Sequence, residues 1–216
     1  HFGNVLGKLL LLNIGNTMNV RRFLNAWLSI YNRALDRRPV PIQMVTSGLL
    51  WFTGDLFAQQ IDFDGKEEKN IDWRRTATNT IYASAIWAPV AHYWYEYLDY
   101  VTRKTLGDKF PPTSPRFVFV KLALEIAALH PLSLFSFFSC TGFMNGKSRT
   151  KVMEQLSNDF LPTLALEVAM WTPLDVYNFR FVPVRHQLLV VNFGAFIESV
   201  GLSWIQNHGT LGSLSE

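Results

Sequence analysis

The sequence predicts an all-α protein: an integral membrane helical bundle of about four spans, with an N-terminal amphipathic helix. Three observations predict it. Of the 216 residues, 49% are hydrophobic and only 17% are charged, below the roughly 25% of a soluble protein. Residues 76–95 contain no Asp, Glu, Lys or Arg, which matches the roughly 20 residues that cross a bilayer. Pro173 and Pro183 flank an aromatic run, a combination that membrane helices tolerate better than soluble ones.

The bulk charge and the cysteine count exclude several classes of function. The formal net charge is +3, too small and too evenly spread for nucleic-acid binding. The single Cys140 excludes an intrachain disulfide and a thiolate-rich metal site, and the five His are scattered. No metal and no cofactor are therefore expected. A soluble all-helical domain with an aromatic core is the alternative that composition leaves open.

The chain divides into three predicted regions: a basic arm with an amphipathic helix at 1–38, the membrane bundle at 39–205, and a loose tail at 206–216. Residues 1–35 lack Asp and Glu but contain arginines, a composition typical of a mitochondrial targeting region or of a basic membrane-facing flank. Phe23, Trp27, Ile30 and Tyr31 follow a helical period. Together these features place the first helix on a membrane surface or against the bundle.

Four apolar stretches are the predicted spans, at 41–61, 76–95, 117–144 and 188–205. Gly48 and Gly54 in the first stretch favour close approach of a neighbouring helix, and Pro131 predicts a kink in the third. Residues 147–159 are predicted to form a short amphipathic surface helix. The short apolar segment at 161–174 is predicted to join the last span.

Ionisable and polar residues within these apolar segments are the candidate site. A charge near a bilayer centre costs at least about 2.5 kcal/mol, so such residues usually face a cavity or a partner. One interpretation is a water path lined by carboxylates that favours cations or protons. The other is interhelical pairing, for example of Asp175 or Glu167 with Arg180, or of Glu125 with Lys121. The candidate pore-lining or interhelical residues are Asp55, His92, Glu125, Glu167, Asp175, Asn178, Arg180 and Glu198.

No enzyme motif is present in the sequence. HExxH, GxSxG and GxGxxG are all missing. The tripeptide Gly146-Lys147-Ser148 matches the end of a phosphate-binding loop, but Thr141 stands where that motif needs its first glycine. The sequence therefore predicts a protein without catalytic activity.

Four stretches of the chain carry a resemblance to a known family. They are residues 46–55 with Gln59 and Gln60, residues 88–99, residues 121–125 with Pro131, and residues 171–183. In this order and spacing the chain resembles the Mpv-seventeen family, meaning the peroxisomal membrane protein of twenty-two kilodaltons and its mitochondrial inner-membrane relatives. The matching motif residues are Pro89, Trp94, Tyr95, Asp99, Trp171, Pro173, Asn178, Phe179 and Pro183.

The resemblance implies a compact bundle of about four membrane helices in the mitochondrial inner membrane, with the peroxisomal membrane as the alternative. Some members behave as non-selective or weakly cation-selective channels for small solutes, and others are linked to mitochondrial homeostasis. The chain departs from the family at Asp175, where Gln is usual, and at Glu198, where Trp is usual. Both changes add acids to the final helices.

Two functions are expected from these observations. The first is a small-solute channel of the inner mitochondrial membrane, with Asp55, Glu125, Asp175 and Glu198 facing its lumen and Asn178 and Arg180 at a constriction. The second is a non-catalytic accessory or structural subunit of a larger membrane complex, such as a respiratory complex. Membrane lipid is the expected partner. Other membrane-protein subunits or self-association are further alternatives, and nucleic acid is not expected.

Overall fold

The computed structural model describes residues 22, 25–62, 70–107 and 109–208, and gives side-chain surroundings for these except at 62 and 202–208. The basic arm before residue 22, Phe23, and the end of the predicted tail lie outside the described residues. The chain forms two compact units, His1–Ile42 and Gln43–Glu216. In the first unit, helix α1 covers residues 25–37. The rings of Trp27 and Tyr31 stack one turn apart on it, with centroids 5.5 Å apart.

Five continuous helices follow α1 in the described residues. Two of them each contain one π-helical segment, in which the turn is widened by one residue. The first is α2, Pro39–Asp62. The second consists of α3, Trp73–Ile81, the first π segment, Tyr82–Trp87, and α4, Ala88–Leu106; the third consists of α5, Pro115–Leu124, the second π segment, Glu125–Leu129, and α6, His130–Met144. The last two are α7, Arg149–Phe181, and α8, Val184–His208.

Local capping chemistry fixes where these helices begin and end. Asp72, Ser114 and Ser148 each accept a hydrogen bond from the backbone N–H three residues later, which satisfies a free donor of the first turn. Two glycines follow helix ends with positive φ, Gly107 at 65° and Gly146 at 76°. Glycine adopts this conformation without a steric penalty, so Gly146 allows the chain to turn after α6 ends at Met144.

Each π segment stands immediately before a proline-containing turn. Pro89 follows Tyr82–Trp87, and Pro131 follows Glu125–Leu129. A proline has no N–H, and its ring collides with the carbonyl four residues earlier in a regular α-helix. A widened turn gives that carbonyl room. Pro131 is thus accommodated by a π segment in an otherwise continuous helix.

Helix α7 corrects the predicted division of residues 147–174. The surface helix expected at 147–159 and the apolar segment expected at 161–174 are one helix of 33 residues, which is separate from α8. Pro162 and Pro173 both lie inside it, and both are exposed. Because their rings point away from the bundle, neither forces the helix apart from its neighbours. Among the described helices, Pro115–Met144 alone has the length and apolar composition of a membrane span.

The helices of the second unit pack around a shared interior. Helix α4 contacts α5 and α8, α7 contacts α5, α6 and α8, and α3 contacts α6. Buried side chains at the centre include Tyr95, Leu98, Phe179 and Leu188. The close approach expected at Gly48 and Gly54 is present: an added Cβ would lie 3.2 Å from Ser84 and 3.2 Å from Phe196, respectively. Small residues there let α2 pack tightly.

Candidate functional site

A cavity of about 380 Å³ lies between the helices of the second unit. All five helices from α2 to α8 contribute to its walls, and both π segments border it. Five of the eight polar candidates line it, although they are far apart in sequence. These are Asp55, Glu125, Glu167, Asp175 and Glu198. Aromatic side chains form much of the remaining wall, among them Trp51, Tyr82, Trp87, Phe137 and Trp171.

Asp55 borders the cavity, and each of its two carboxylate oxygens accepts two hydrogen bonds. Its Oδ1 accepts from Arg75 Nε at 2.9 Å and from Asn79 Nδ2 at 3.2 Å. Its Oδ2 accepts from Thr76 Oγ1 at 2.6 Å and from Gln59 Nε2 at 2.7 Å. Asp55 therefore joins α2 to α3 through a charge-assisted network. It borders the cavity, but its charge is balanced by Arg75.

Glu125 starts the second π segment and is bound by α4. Trp94 donates from Nε1 to Glu125 Oε2 at 2.5 Å. The expected pair of Glu125 with Lys121 does not form. Lys121 Nζ instead lies 3.3 Å from Asp99 Oδ1 on α4 and 5.0 Å from the centre of the Phe179 ring. Trp94 and Asp99, the partners of Glu125 and Lys121, both lie on α4, because that helix packs along α5.

Asp175 pairs with a histidine of α6 and not with Arg180. His130 Nε2 lies 3.4 Å from Asp175 Oδ2. The contact is an ion pair, and neither atom makes a hydrogen bond in the described part of the chain. Arg180 is exposed and stacks its guanidinium 5.3 Å from the Phe181 ring. The predicted pairing of Asp175 or Glu167 with Arg180 is therefore wrong, as is the placement of Arg180 at a constriction.

Glu167, Trp171 and Asp175 form a ladder along one face of α7. They are spaced four residues apart, which places them one above another on a helix, and all three border the cavity. Across from them, Glu198 of α8 borders the same space. Glu167 and Glu198 are half-buried, and within the described residues neither makes a hydrogen bond or ion pair.

The remaining candidates lie away from the cavity. His92 is buried with its Nε2 3.6 Å from Glu96 Oε1. Asn178 is fully buried and donates to the carbonyl of Gln187 at 3.2 Å, which ties α7 to α8 across the turn containing Pro183. Asn178 thus holds a helix connection and does not form a constriction.

Two basic residues of the cavity wall, Arg75 and His130, are absent from the list of candidate residues. Arg75 stands just after a charged loop, where it is expected to be solvated, and the structure turns it onto Asp55. His130 lies in an apolar helix, and its partner Asp175 is distant in sequence. One sequence signal could have pointed to His130: it directly precedes Pro131. In the structure it directly follows the second π segment, where the helix is widened.

Comparison with known proteins decides the family. Residues 142–203 match the model of the Mpv17 / PMP22 family. PXMP2/4 family protein 4 of Dictyostelium discoideum is 30% identical over 81% of this chain and 93% of its own length. The chain belongs to the Mpv17 / PMP22 family. The resemblance read from the motif residues is thereby confirmed.

Two further relatives in the Mpv17 / PMP22 family locate it in the cell. Protein SYM1 of Saccharomyces cerevisiae is 30% identical over 82% of this chain and 88% of its own length. Mitochondrial inner membrane protein Mpv17 of Xenopus laevis is 30% identical over 82% of this chain and 95% of its own length. The chain is a membrane protein of this family, and the predicted localisation in the mitochondrial inner membrane is confirmed on these names. No solved structure matches the chain.

In this chain, the residues of the family motifs make contacts between helices around the cavity. Trp94 binds Glu125, Asp99 binds Lys121, and Tyr95 packs edge-on against Phe179 with ring centroids 6.3 Å apart. Trp171 borders the cavity directly. The motifs therefore set the contacts of α4 with α5 and α7, and these contacts position Glu125 and Asp175.

Proposed function

We propose that the chain is a non-catalytic integral protein of the mitochondrial inner membrane whose helical bundle provides a passage for small solutes, with a preference for cations. The observation that carries the proposal is the cavity, where five carboxylates from four helices converge. Helical membrane proteins place ionisable residues toward such interiors. The proposal agrees with the channel behaviour that the family resemblance implies.

Lipid as the surrounding solvent is supported by the distribution of side chains in the described residues. Polar residues occupy the interior, including Lys121, Asn178 and Asn192, each at most 1% exposed. Large apolar residues cover the outside, such as Phe119 at 69% and Leu161 at 73% exposed. A water-soluble protein shows the reverse tendency for charged groups, and extended apolar surfaces mark contact with lipid or protein.

A cation preference follows from the charges that face the cavity. Arg75 offsets Asp55, and His130 stands opposite Asp175. Glu125 is bound by the neutral indole N–H of Trp94, and Glu167 and Glu198 remain unpaired within the described residues. A low-dielectric cleft with excess carboxylate concentrates cations and repels anions.

Recording from purified protein in planar bilayers tests the proposal. Under a KCl gradient the wild type is expected to conduct, with a reversal potential displaced toward that of K⁺. Glu167→Gln and Glu198→Gln should move the reversal potential toward zero, because each removes an unpaired carboxylate. Glu154→Gln is the matched control, since Glu154 is an exposed residue of α7. Absence of current from the wild type at every voltage would contradict the proposal.

The alternative function, an accessory subunit, depends on a surface that binds a partner protein. Glu198 of the final helix borders the cavity, and most of the basic arm lies outside the described residues. Native gels of mitochondrial membranes in mild detergent separate the two functions. Migration only in a large complex, together with electrical silence of the purified protein, would favour the subunit.

A further inference from the structure

We infer that the cavity selects small organic ammonium ions over neutral molecules of the same shape. This inference rests on the proposed function and names the class of solute. It depends on a combination of groups in the described part of the cavity wall. Carboxylates on two helices make no hydrogen bond or ion pair there, an indole borders the same space, and one buried carboxylate oxygen accepts no hydrogen bond.

The ladder on α7 supplies the geometry. Glu167, Trp171 and Asp175 follow one another at single-turn spacing, so the indole lies between two carboxyl groups on the same face. Trp171 also reaches α8: a Cβ added to Gly194 would lie 3.0 Å from Trp171 Cζ3. Gly194 is one turn before Glu198 on α8. Three carboxylates and one indole thus border the same cavity where α7 contacts α8.

Asp175 provides an independent sign of a ligand. Its side chain is 4% exposed, and Oδ2 has no hydrogen-bond donor among the described residues although His130 Nε2 lies 3.4 Å away. A buried oxygen that accepts no hydrogen bond is uncommon and calls for an explanation, even where an ion-pair partner stands beside it. An ammonium group entering the cavity would supply the hydrogen bond that His130 does not donate to this oxygen.

The chemistry of the wall distinguishes an organic cation from a metal ion and from an anion. Compact metal cations prefer a shell made only of oxygen ligands, whereas here aromatic rings separate the carboxylates. Ammonium ions bind both to carboxylates and to aromatic faces, and the aromatic contribution grows when water is excluded. Phosphates and carboxylic acids are disfavoured by the same acidic wall. A volume of about 380 Å³ is sufficient for a small organic molecule.

Calorimetric titration of the full chain in detergent tests the inference with choline and its neutral isostere, 3,3-dimethylbutan-1-ol. Choline is expected to bind and the neutral isostere is not. Glu198→Gln and Trp171→Phe should each weaken choline binding by about tenfold, and Glu167→Gln provides a second carboxylate variant if either fails to fold. Glu154→Gln should bind as the wild type does.

The outcomes separate this inference from the proposed function. Absence of choline binding, equal binding of the neutral isostere, or binding unchanged in every cavity variant would overturn the inference, even if bilayers containing the protein conduct K⁺. Choline binding that is lost in the cavity variants would support it, even if no current flows. In that case the proposed passage for solutes would be wrong, and the proposed ammonium-binding site would still be supported.

Discussion

At the scale of single residues, the polar groups around the cavity divide into those that hold helices together and those that stay unpaired. Asp55 accepts four hydrogen bonds and belongs to the first group. Glu167 and Glu198 belong to the second within the described residues. The two groups predict different consequences of removing a charge: loss of stability in the first, and loss of cation preference in the second.

Asp55→Asn should therefore destabilise the fold. The amide removes the negative charge that faces Arg75 and places a donor where Gln59 and Thr76 already donate. Removing one member of a buried ion pair costs about 3–5 kcal/mol; because Arg75 is 43% exposed, solvent screening reduces this to about 1–3 kcal/mol. Thermal unfolding in detergent, followed by circular dichroism, measures the loss. An unchanged midpoint, equal to that of Glu154→Gln, would show that the network adds no stability.

Pairing partners were the least predictable part of the site, for reasons visible at particular residues. Asp175 and Arg180 are close in sequence, but five residues turn an α-helix by about 140°, so Arg180 emerges on the exposed side. This angle between the two side chains could have been worked out from the sequence. The true partner, His130, could not, because its position depends on how α6 packs against α7.

At the scale of helices, close contact between α7 and α8 brings the carboxylates of both to one cavity. Gly194 makes that contact possible: an added Cβ would lie 2.5 Å from Leu174 Cδ2 and 3.0 Å from Trp171 Cζ3. Gly201 lies on the same helix with no atom within 4 Å of such a Cβ. The two glycines form a natural comparison.

Gly194→Ala should destabilise the protein, whereas Gly201→Ala should not. Overpacking at Gly194 costs about 1–3 kcal/mol, and replacing an open helical glycine by alanine contributes about 0.5–1 kcal/mol of stability. Unfolding midpoints in one detergent measure both changes. If the two variants shift in the same direction, the packing of Trp171 and Leu174 against α8 is not as the structure has it.

Helix boundaries show which sequence signals succeed. Each of the apolar stretches predicted at 41–61, 76–95, 117–144 and 188–205 lies within one continuous helix, because hydrophobicity acts locally. Helix α7 was divided in error, because Pro162 and the polar segment before it read as a break. A proline ends a helix only when the carbonyl that loses its hydrogen bond stays unsatisfied or the ring clashes with the preceding turn. That condition depends on neighbouring helices and cannot be read locally.

At the scale of the whole molecule, the separation of α7 from α8 bears on how the chain crosses the membrane. Helix α7 has 33 residues and is about 50 Å long, against a hydrocarbon core of about 30 Å. If α7 crosses, Lys109 and Arg180 lie on one side of the membrane and Lys147 on the other. If α7 and α8 together make one crossing, as a four-span bundle requires, Lys147 and Arg180 share a side.

Single cysteines at Lys109, Lys147 and Arg180 distinguish these topologies. The background is Cys140→Ser, which removes the natural thiol and serves as the unlabelled control. We expect a membrane-impermeant maleimide to label Lys109→Cys and Arg180→Cys from the same side of proteoliposomes, and Lys147→Cys from the other. Labelling of Arg180→Cys and Lys147→Cys from the same side would mean that α7 does not cross.

The central claim is that water lies inside the bundle and lipid outside, and two nearby positions on α8 test it most directly. Ser199 borders the cavity, whereas Ile197 is 56% exposed on the outer surface. In proteoliposomes of the Cys140→Ser protein, a water-soluble cationic methanethiosulfonate should modify Ser199→Cys and leave Ile197→Cys unreacted. Faster modification of Ile197→Cys than of Ser199→Cys would contradict the claim.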